Sequence, residues 1–484
     1  MLFNSFTFLI FFPVVVTVYF AIPHRLRWAW LLAASCYFYM AFIPVYILIL
    51  FFTIAIDYGA GILIENAIGT RRKSLLVVSI IANVGVLAVF KYFNFLNANT
   101  RAIADVFNIP YDVPALAIIL PIGLSFHTFQ AMSYTIEVYR GNQKAERHPG
   151  IYALYVMFFP QLVAGPIERP QNLLHQFYEK HSFEYYRVTN GLRRMAYGLF
   201  LKVVIADRLA GYVNVVYNDP ASYKGLSFVV ATIFFAFQIY CDFAGYSYMA
   251  IGAANVMGFR LMRNFNRPYL ARSISEFWGR WHISLSTWFR DYVYIPLGGN
   301  RVSRPRWYFN LLVTFFLSGL WHGANWTFVI WGTLNGMYLV ASLATTQFRS
   351  AVARATTIAR HPRVRAVWGV LFTFGLTCFA WVFFRAASLD DALHIIGSML
   401  TRPVPHDVIP DALRAEGFTK LEVAYSAFLI AALMSFEYFS ERVNVSRLFA
   451  AQPVWVRWPA YYAGCMAIWL FGINSEAAFI YFQF

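Results

Sequence analysis

Long apolar stretches joined by short basic connections make up most of the chain. Runs at residues 6–22, 29–40, 45–64, 74–96, 116–138, 196–213, 228–257, 366–384, 423–436 and 459–471 are read as membrane-spanning helices. A full crossing of the hydrocarbon core takes about 20 residues, so several of these runs are short for the task. A further apolar tract at 308–343 is interrupted by Trp321-His322-Gly323-Ala324-Asn325-Trp326 and predicts two helices or one broken helix. The first run lacks a following small-residue cleavage site, and more spans come soon after it. It therefore predicts a first transmembrane helix, not a removable signal. With no internal repeat, low-complexity stretch or soluble insertion, the expectation is a single membrane domain over residues 1–484.

Composition agrees. The chain is 60% hydrophobic and 13% charged, too apolar for a soluble fold. Aromatic residues reach 19%, as expected of a polytopic protein with interfacial aromatic belts. The four cysteines, Cys36, Cys241, Cys378 and Cys465, are dispersed and form no CxxC pair, so neither a disulfide framework nor a metal site is predicted.

The net charge of +16 raises the question of nucleic acid. Its distribution answers it, because the basic residues sit in short connections and not on one continuous soluble surface. Arg25 with Arg27, Arg71 to Lys73, Arg140 to Arg147 and Lys180 to Arg194 are assigned to the cytoplasm, whereas 97–114 and 385–420 carry more acids than bases and are assigned outside. This alternation works with an external N-terminus and fails once, at 151–164, which lies between two basic segments. That run contains Pro160 and is followed by Gly165, Pro166 and Pro170. It is predicted to be re-entrant and buried in protein, where broken backbone is tolerated at membrane depth.

The most basic segment, 260–306, holds nine arginines against Glu276 and Asp291. Ser273 and Glu276 have capping-box spacing and predict a helix start. The helix carries Trp278, Trp281 and Trp288 beside Arg280, His282 and Arg290, so it belongs at an interface or dips into the protein. A turn is expected at Gly298-Gly299-Asn300.

Of ten histidines, seven (His24, His148, His175, His181, His361, His394 and His406) fall in or beside polar connections. His127 reads as a hydrogen-bonding group between helices. His282 and His322 stand out, flanked by aromatic residues in segments already unusual. An ionisable group inside a membrane is a functional-site hypothesis by default. The residues alone leave His322 open between a packed helix-contact role and a base that takes a proton from a hydroxyl near neutral pH. Trp321, Trp326 and Phe316 are expected to bury it, Asn325 to orient its ring or a carbonyl if the helix persists locally, and Gly319 and Gly323 to let a substrate approach. No second histidine or carboxylate shares a short helical spacing with His322, which disfavours a metal. Asp57, Glu137, Asp207, Arg208 and Asp242 are further polar marks, explained equally well by pairing or by chemistry.

Five stretches together are specific. They are LPIGLSFHTFQAMSY at 120–134, QLVAGPIERP at 161–170, CDFAGYSYMAIG at 241–252, EFWGRWHISLSTWFRDYVYIPLGGNR at 276–301 and SGLWHGANW at 318–326. In this order and spacing they resemble the membrane-bound O-acyltransferase family, and within it the bacterial branch that acetylates exported polysaccharides such as alginate. The closing FIYFQF at 479–484 is also similar to that branch.

The resemblance implies an all-α polytopic membrane protein, a ring of roughly 11–12 transmembrane helices with re-entrant pieces about a thin centre. It implies that His322 is the catalytic base, deep in a membrane-spanning tunnel, and that His282 is the second signature position. It implies that no cofactor is bound and that acetyl-CoA is the acyl donor, used from the cytoplasmic side of the bacterial inner membrane. The implied partners are membrane lipid and an extracytoplasmic SGNH-hydrolase-like acetyltransferase or small acyl carrier. Through that partner the acetyl group reaches the exported polysaccharide, of alginate, cellulose or peptidoglycan type. Nucleic acid is not expected. The rival class is a transporter or channel with His282 and His322 as a proton or substrate path, although paired internal repeats, which would favour it, are not found. A flippase-like export subunit without chemistry is the third reading.

Overall fold

A computed structural model describes the chain except residues 118–119, 164, 356–360, 402–412, 415–416, 474–478 and 481–484. The chain is all-helical among the described residues. Among the described residues, six helical stretches are long and apolar enough to cross a membrane: Pro44–Asn66, Gly69–Val106, Leu226–Met257, Trp326–Ala344, Pro362–Arg385 and Lys420–Ser440. The chain also forms shorter or more polar helices such as Phe6–Ala21, His24–Met40, Leu124–Arg140, Arg304–His322 and Val454–Phe471. The 385–420 connection, expected outside, falls partly beyond the described residues, as does most of FIYFQF.

The chain divides into two compact units, one comprising residues 1–198, 246–262 and 481–483, the other residues 199–245, 263–480 and 484. In the first unit, polar groups within apolar helices find each other. Ser79 donates to Asp57 at 2.6 Å, and Asn83 donates to both Asp57 oxygens at 2.9 Å. Glu137 accepts from Arg140, Asn142 and Gln171. These two carboxylates are therefore interhelical pairing groups, the ordinary way a membrane helix satisfies a polar side chain. His127 lies buried on the Leu124–Arg140 helix of this unit.

The 151–164 run forms two short helices, Pro149–Met157 and Phe159–Leu162, broken at Phe158, and every residue from 151 to 163 is buried. Broken backbone enclosed by protein is what the charge pattern demanded of this segment. Two boundaries differ from expectation. The predicted helix at 116–138 begins only at Leu124, because Pro121 and Gly123, the latter at φ 76°, cannot continue one. Residues 97–106, assigned to a connection, continue the preceding helix through a π-helical turn at Ala88–Tyr92. The asparagines there bind the chain that follows: Asn97 donates to the Val113 carbonyl, and Asn94 pairs with the Leu116 backbone in both directions.

In the second unit the interrupted apolar tract is two helices, Arg304–His322 and Trp326–Ala344. Asn325 caps the second, its Oδ1 accepting from the Thr327 N–H at 3.1 Å. Glycines set the crossing. A Cβ on Gly319 would lie 2.3 Å from the Phe328 carbonyl oxygen, and one on Gly332 would lie 2.3 Å from that of Phe315. The two backbones thus touch, as small residues permit between membrane helices. The capping helix also forms: Ser273 Oγ accepts from the Glu276 N–H and the helix runs Ile274–Arg280. Glu276 returns its carboxylate to the Arg272 N–H, one residue before the reciprocal partner of a standard box.

Candidate active site

Two buried histidines meet in the second unit. His322 is the last residue of Arg304–His322 and 3% exposed; His282 precedes the short helix Ile283–Phe289 and is 1% exposed. Their ring centroids are 6.4 Å apart, with planes inclined at 54°. The two signature positions, forty residues apart in sequence, thus share one site.

Each imidazole is held differently. His322 ends a helix, so its position follows the Gly319–Gly332 crossing. Aromatic rings then fix its orientation: Trp321 and Trp331 each lie 4.9 Å from it at nearly right angles, and Phe384 lies at 5.4 Å. Trp331 stacks on Trp381 at 5.7 Å, and Trp381 packs on Trp281 at 5.2 Å, so the walls are braced from behind. His282 instead depends on its backbone. Its φ of 43° and ψ of 53° place a β-carbon-bearing residue in the left-handed region, at a cost of about 1–2 kcal/mol. Asn264, fully buried, enforces the turn. Its carbonyl accepts from the Ile283 N–H at 2.8 Å, and its Oδ1 accepts from the Ser284 hydroxyl at 2.9 Å. Strain held by a dedicated partner is a mark of functional sites. Phe243 meets the His282 ring edge-on at 4.6 Å. Burial pushes this imidazole below its ordinary titration range, so it is neutral at physiological pH.

Several expected neighbours are elsewhere. Trp326 is 52% and Phe316 38% exposed, so neither walls His322. Asn325 does not orient the ring. The helix breaks at Gly323, and Asn325 spends its side chain on the Thr327 cap and on the Ala387 carbonyl. Gly319 and Gly323 do not open space for a substrate either; the Phe328 carbonyl and ring fill those positions. Sequence reasoning missed Asn264, Phe243, Trp331, Trp381 and Phe384. Phe243, Trp381 and Phe384 come from other apolar runs and Trp331 from the tract of His322 itself, where nothing in the local pattern separates a wall from ordinary core, and Asn264 is one polar residue in a basic segment.

A cavity of about 570 Å³ lies next to the histidine-bearing elements, lined among others by Ser275, Trp278, Ile283, Ser286, Arg290 and Ser318, with neither histidine in its wall. Ser318 lies one helical turn before His322, and Trp278 is 5.8 Å from Trp331. Arg290 stands at this cavity with 59% of its side chain exposed. Two buried imidazoles behind indole walls, His282 held neutral, suit proton transfer, and the neighbouring cavity carries Arg290, paired with Asp291 at 2.8 Å.

If the rings act together, His282→Ala should lower transfer by about 10²-fold, the order of loss for a misplaced reacting group. The variant should still reach wild-type membrane levels. Full activity in a well-expressed variant would reduce His282 to packing.

The sequence matches the MBOAT, membrane-bound O-acyltransferase family, over residues 125–388, which include both histidines. It is 41% identical to the probable alginate O-acetylase AlgI of Azotobacter vinelandii over 83% of this chain and 78% of that one. It is 40% identical to the Pseudomonas aeruginosa protein of the same name, covering 83% and 75%. The peptidoglycan O-acetyltransferase of Helicobacter pylori is 36% identical, covering 77% and 73%. Sequence and all-helical fold agree: this chain is a membrane acyltransferase and belongs to the membrane-bound O-acyltransferase family, in its polysaccharide O-acetyltransferase branch.

Proposed function

We propose that this acyltransferase passes an acetyl group from a cytoplasmic thioester, acetyl-CoA, across the bacterial inner membrane for O-acetylation of an exported cell-surface polysaccharide. The observation that carries the reading is the pair of buried imidazoles 6.4 Å apart, each walled by aromatic rings. His322 takes the proton of the acceptor hydroxyl as its oxygen attacks the thioester carbonyl. The new C–O bond forms, the C–S bond breaks, and the departing thiolate recovers the proton from the imidazolium. His282, neutral and rigidly held, positions donor or acceptor. Arg290 at the cavity suits the phosphates of a coenzyme A donor. The relatives named for alginate and peptidoglycan support an exported polymer as the final acceptor, of alginate, cellulose or peptidoglycan type. An extracytoplasmic SGNH-hydrolase-like acetyltransferase or a small acyl carrier completes the transfer.

Sealed membrane vesicles test this directly. Inside-out vesicles given acetyl-labelled coenzyme A should label the partner or polymer within their lumen, and right-side-out vesicles given the same donor outside should not. Equal labelling in both would overturn the cytoplasmic donor, and no labelling in either would exclude acetyl-CoA.

A further inference from the structure

Three buried charges in the second unit are not used by the chemistry above. Lys202 Nζ lies 2.7 Å from Asp207 Oδ1 and 2.9 Å from Asp242 Oδ1. The three residues are 1%, 6% and 3% exposed. Lys202 sits on a π-helical turn, Leu201–Ala206, an element found frequently at functional sites. Enclosing such a cluster costs more desolvation than an apolar packing of the same volume. Stability is therefore a poor reason for its presence.

The second oxygen of Asp242 shows what the cluster holds. Asp242 Oδ2 accepts from the backbone N–H of Ile480 at 2.8 Å, far along the chain. The Ile473 N–H, in turn, donates to the Val203 carbonyl on the π turn itself, at 2.9 Å. Beside Ile480, Phe479 is fully buried and packs on Phe243 at 5.5 Å. Phe243 follows Asp242 directly and is the ring that meets His282 at 4.6 Å. A continuous path therefore runs from Lys202 through Asp242 to Ile480, and from Phe479 through Phe243 to the imidazole.

We propose that Lys202 and Asp242 are positioning residues for the acyl-transfer site. Lys202 orients the Asp242 carboxylate, Asp242 clamps the chain at Ile480, and the clamped Phe479 presses Phe243 into the wall of His282. The inference rests on the reading that the His282–His322 pair serves the transfer. Asp207 gives Lys202 a second anionic contact. A carboxylate is required at 242 because two acceptors are needed at once. Asparagine has one acceptor oxygen and would offer its amide N–H groups either to the Lys202 ammonium or to the Ile480 N–H.

The test measures acetyl transfer in vesicles with Asp242→Asn, Phe479→Ala and the double variant, at matched membrane levels. Each single variant should lower kcat by about ten-fold through a displaced wall, with KM for acetyl-CoA near wild type; both lower the unfolding temperature in detergent, so rates are compared well below every variant's unfolding midpoint. Because the residues act in one path, the double variant should be no slower than the slower single one. Ile480→Pro, which deletes the clamped N–H and leaves the cluster charged, should reproduce the Asp242→Asn defect. If Asp242→Asn does not accumulate, Ile480→Pro and Phe479→Ala decide the matter without it. Wild-type kcat in Phe479→Ala, or multiplying losses in the double variant, would overturn the inference while leaving the role of the histidines intact. Wild-type transfer in His322→Ala would instead overturn the reading on which it rests.

Discussion

His322→Ala is expected to lower acetyl transfer by about 10²–10⁴-fold, the range that general-base assistance supplies. Membrane levels should not change: the ring contributes contacts with Trp321, Trp331 and Phe384, of which Trp331 and Phe384 also pack on each other and on Trp381, and Trp321 also meets His282. His322→Gln separates the two ways a buried polar group can matter. Glutamine keeps a hydrogen-bonding side chain of similar reach but cannot accept a proton from a hydroxyl near neutral pH. It should therefore be as inactive as alanine. The measurement is acetyl ester on the exported polymer in cells carrying each variant at matched levels. Near-normal esterification with glutamine would mean that the position supplies hydrogen bonding alone. Near-normal esterification with alanine as well would make His322 a packing residue, and the base would have to be sought elsewhere.

The residues alone left His322 open between a packed helix-contact group and a base; the structure adds that it is buried beside His282. Its partnership with His282 rested on the two motifs and not on any local pattern. The broken tract at 308–343 was readable from its polar interruption, and the buried break within 151–164 from the basic segments on both its flanks. The walls of the site were not. Trp331, Trp381 and Phe384 lie in helices whose apolar residues face lipid or protein alike, and a sequence pattern does not distinguish the two solvents. Proximity along the chain misled for the same reason, since Trp326 and Phe316 flank His322 in sequence yet point away from it. Asn325 illustrates a second limit. Three residues from His322, it would share a face with it only on an unbroken helix, and its own preference for capping ends that helix. The clamp at Ile480 lies furthest from local reasoning, because its carboxylate and its N–H are 238 residues apart.

The glycines of the Gly319 and Gly332 crossing carry the second large expectation. Sequence proximity to His322 suggested that Gly319 makes room for a substrate, but the structure gives that room to the neighbouring helix. An added Cβ would meet backbone, the Phe328 carbonyl at 2.3 Å, so no side-chain rotation can relieve it. Overpacking typically costs about 1–3 kcal/mol and more where the backbone must move. Gly319→Leu is accordingly expected to fail to accumulate, and Gly319→Ala to unfold at a markedly lower temperature in detergent. Gly375→Ala is the control, since a Cβ there meets nothing within 4 Å and the helix around it is continuous. It should leave the unfolding temperature unchanged or slightly raised. Separating the two helices moves His322 and Trp331, which sit on opposite sides of the crossing, so the Gly319→Ala protein that does fold should also transfer acetyl groups more slowly. Wild-type stability with reduced transfer would mean that Gly319 does face a substrate. Wild-type values of both would mean that the helices can part at this point without consequence, and that the crossing does not set the position of the base.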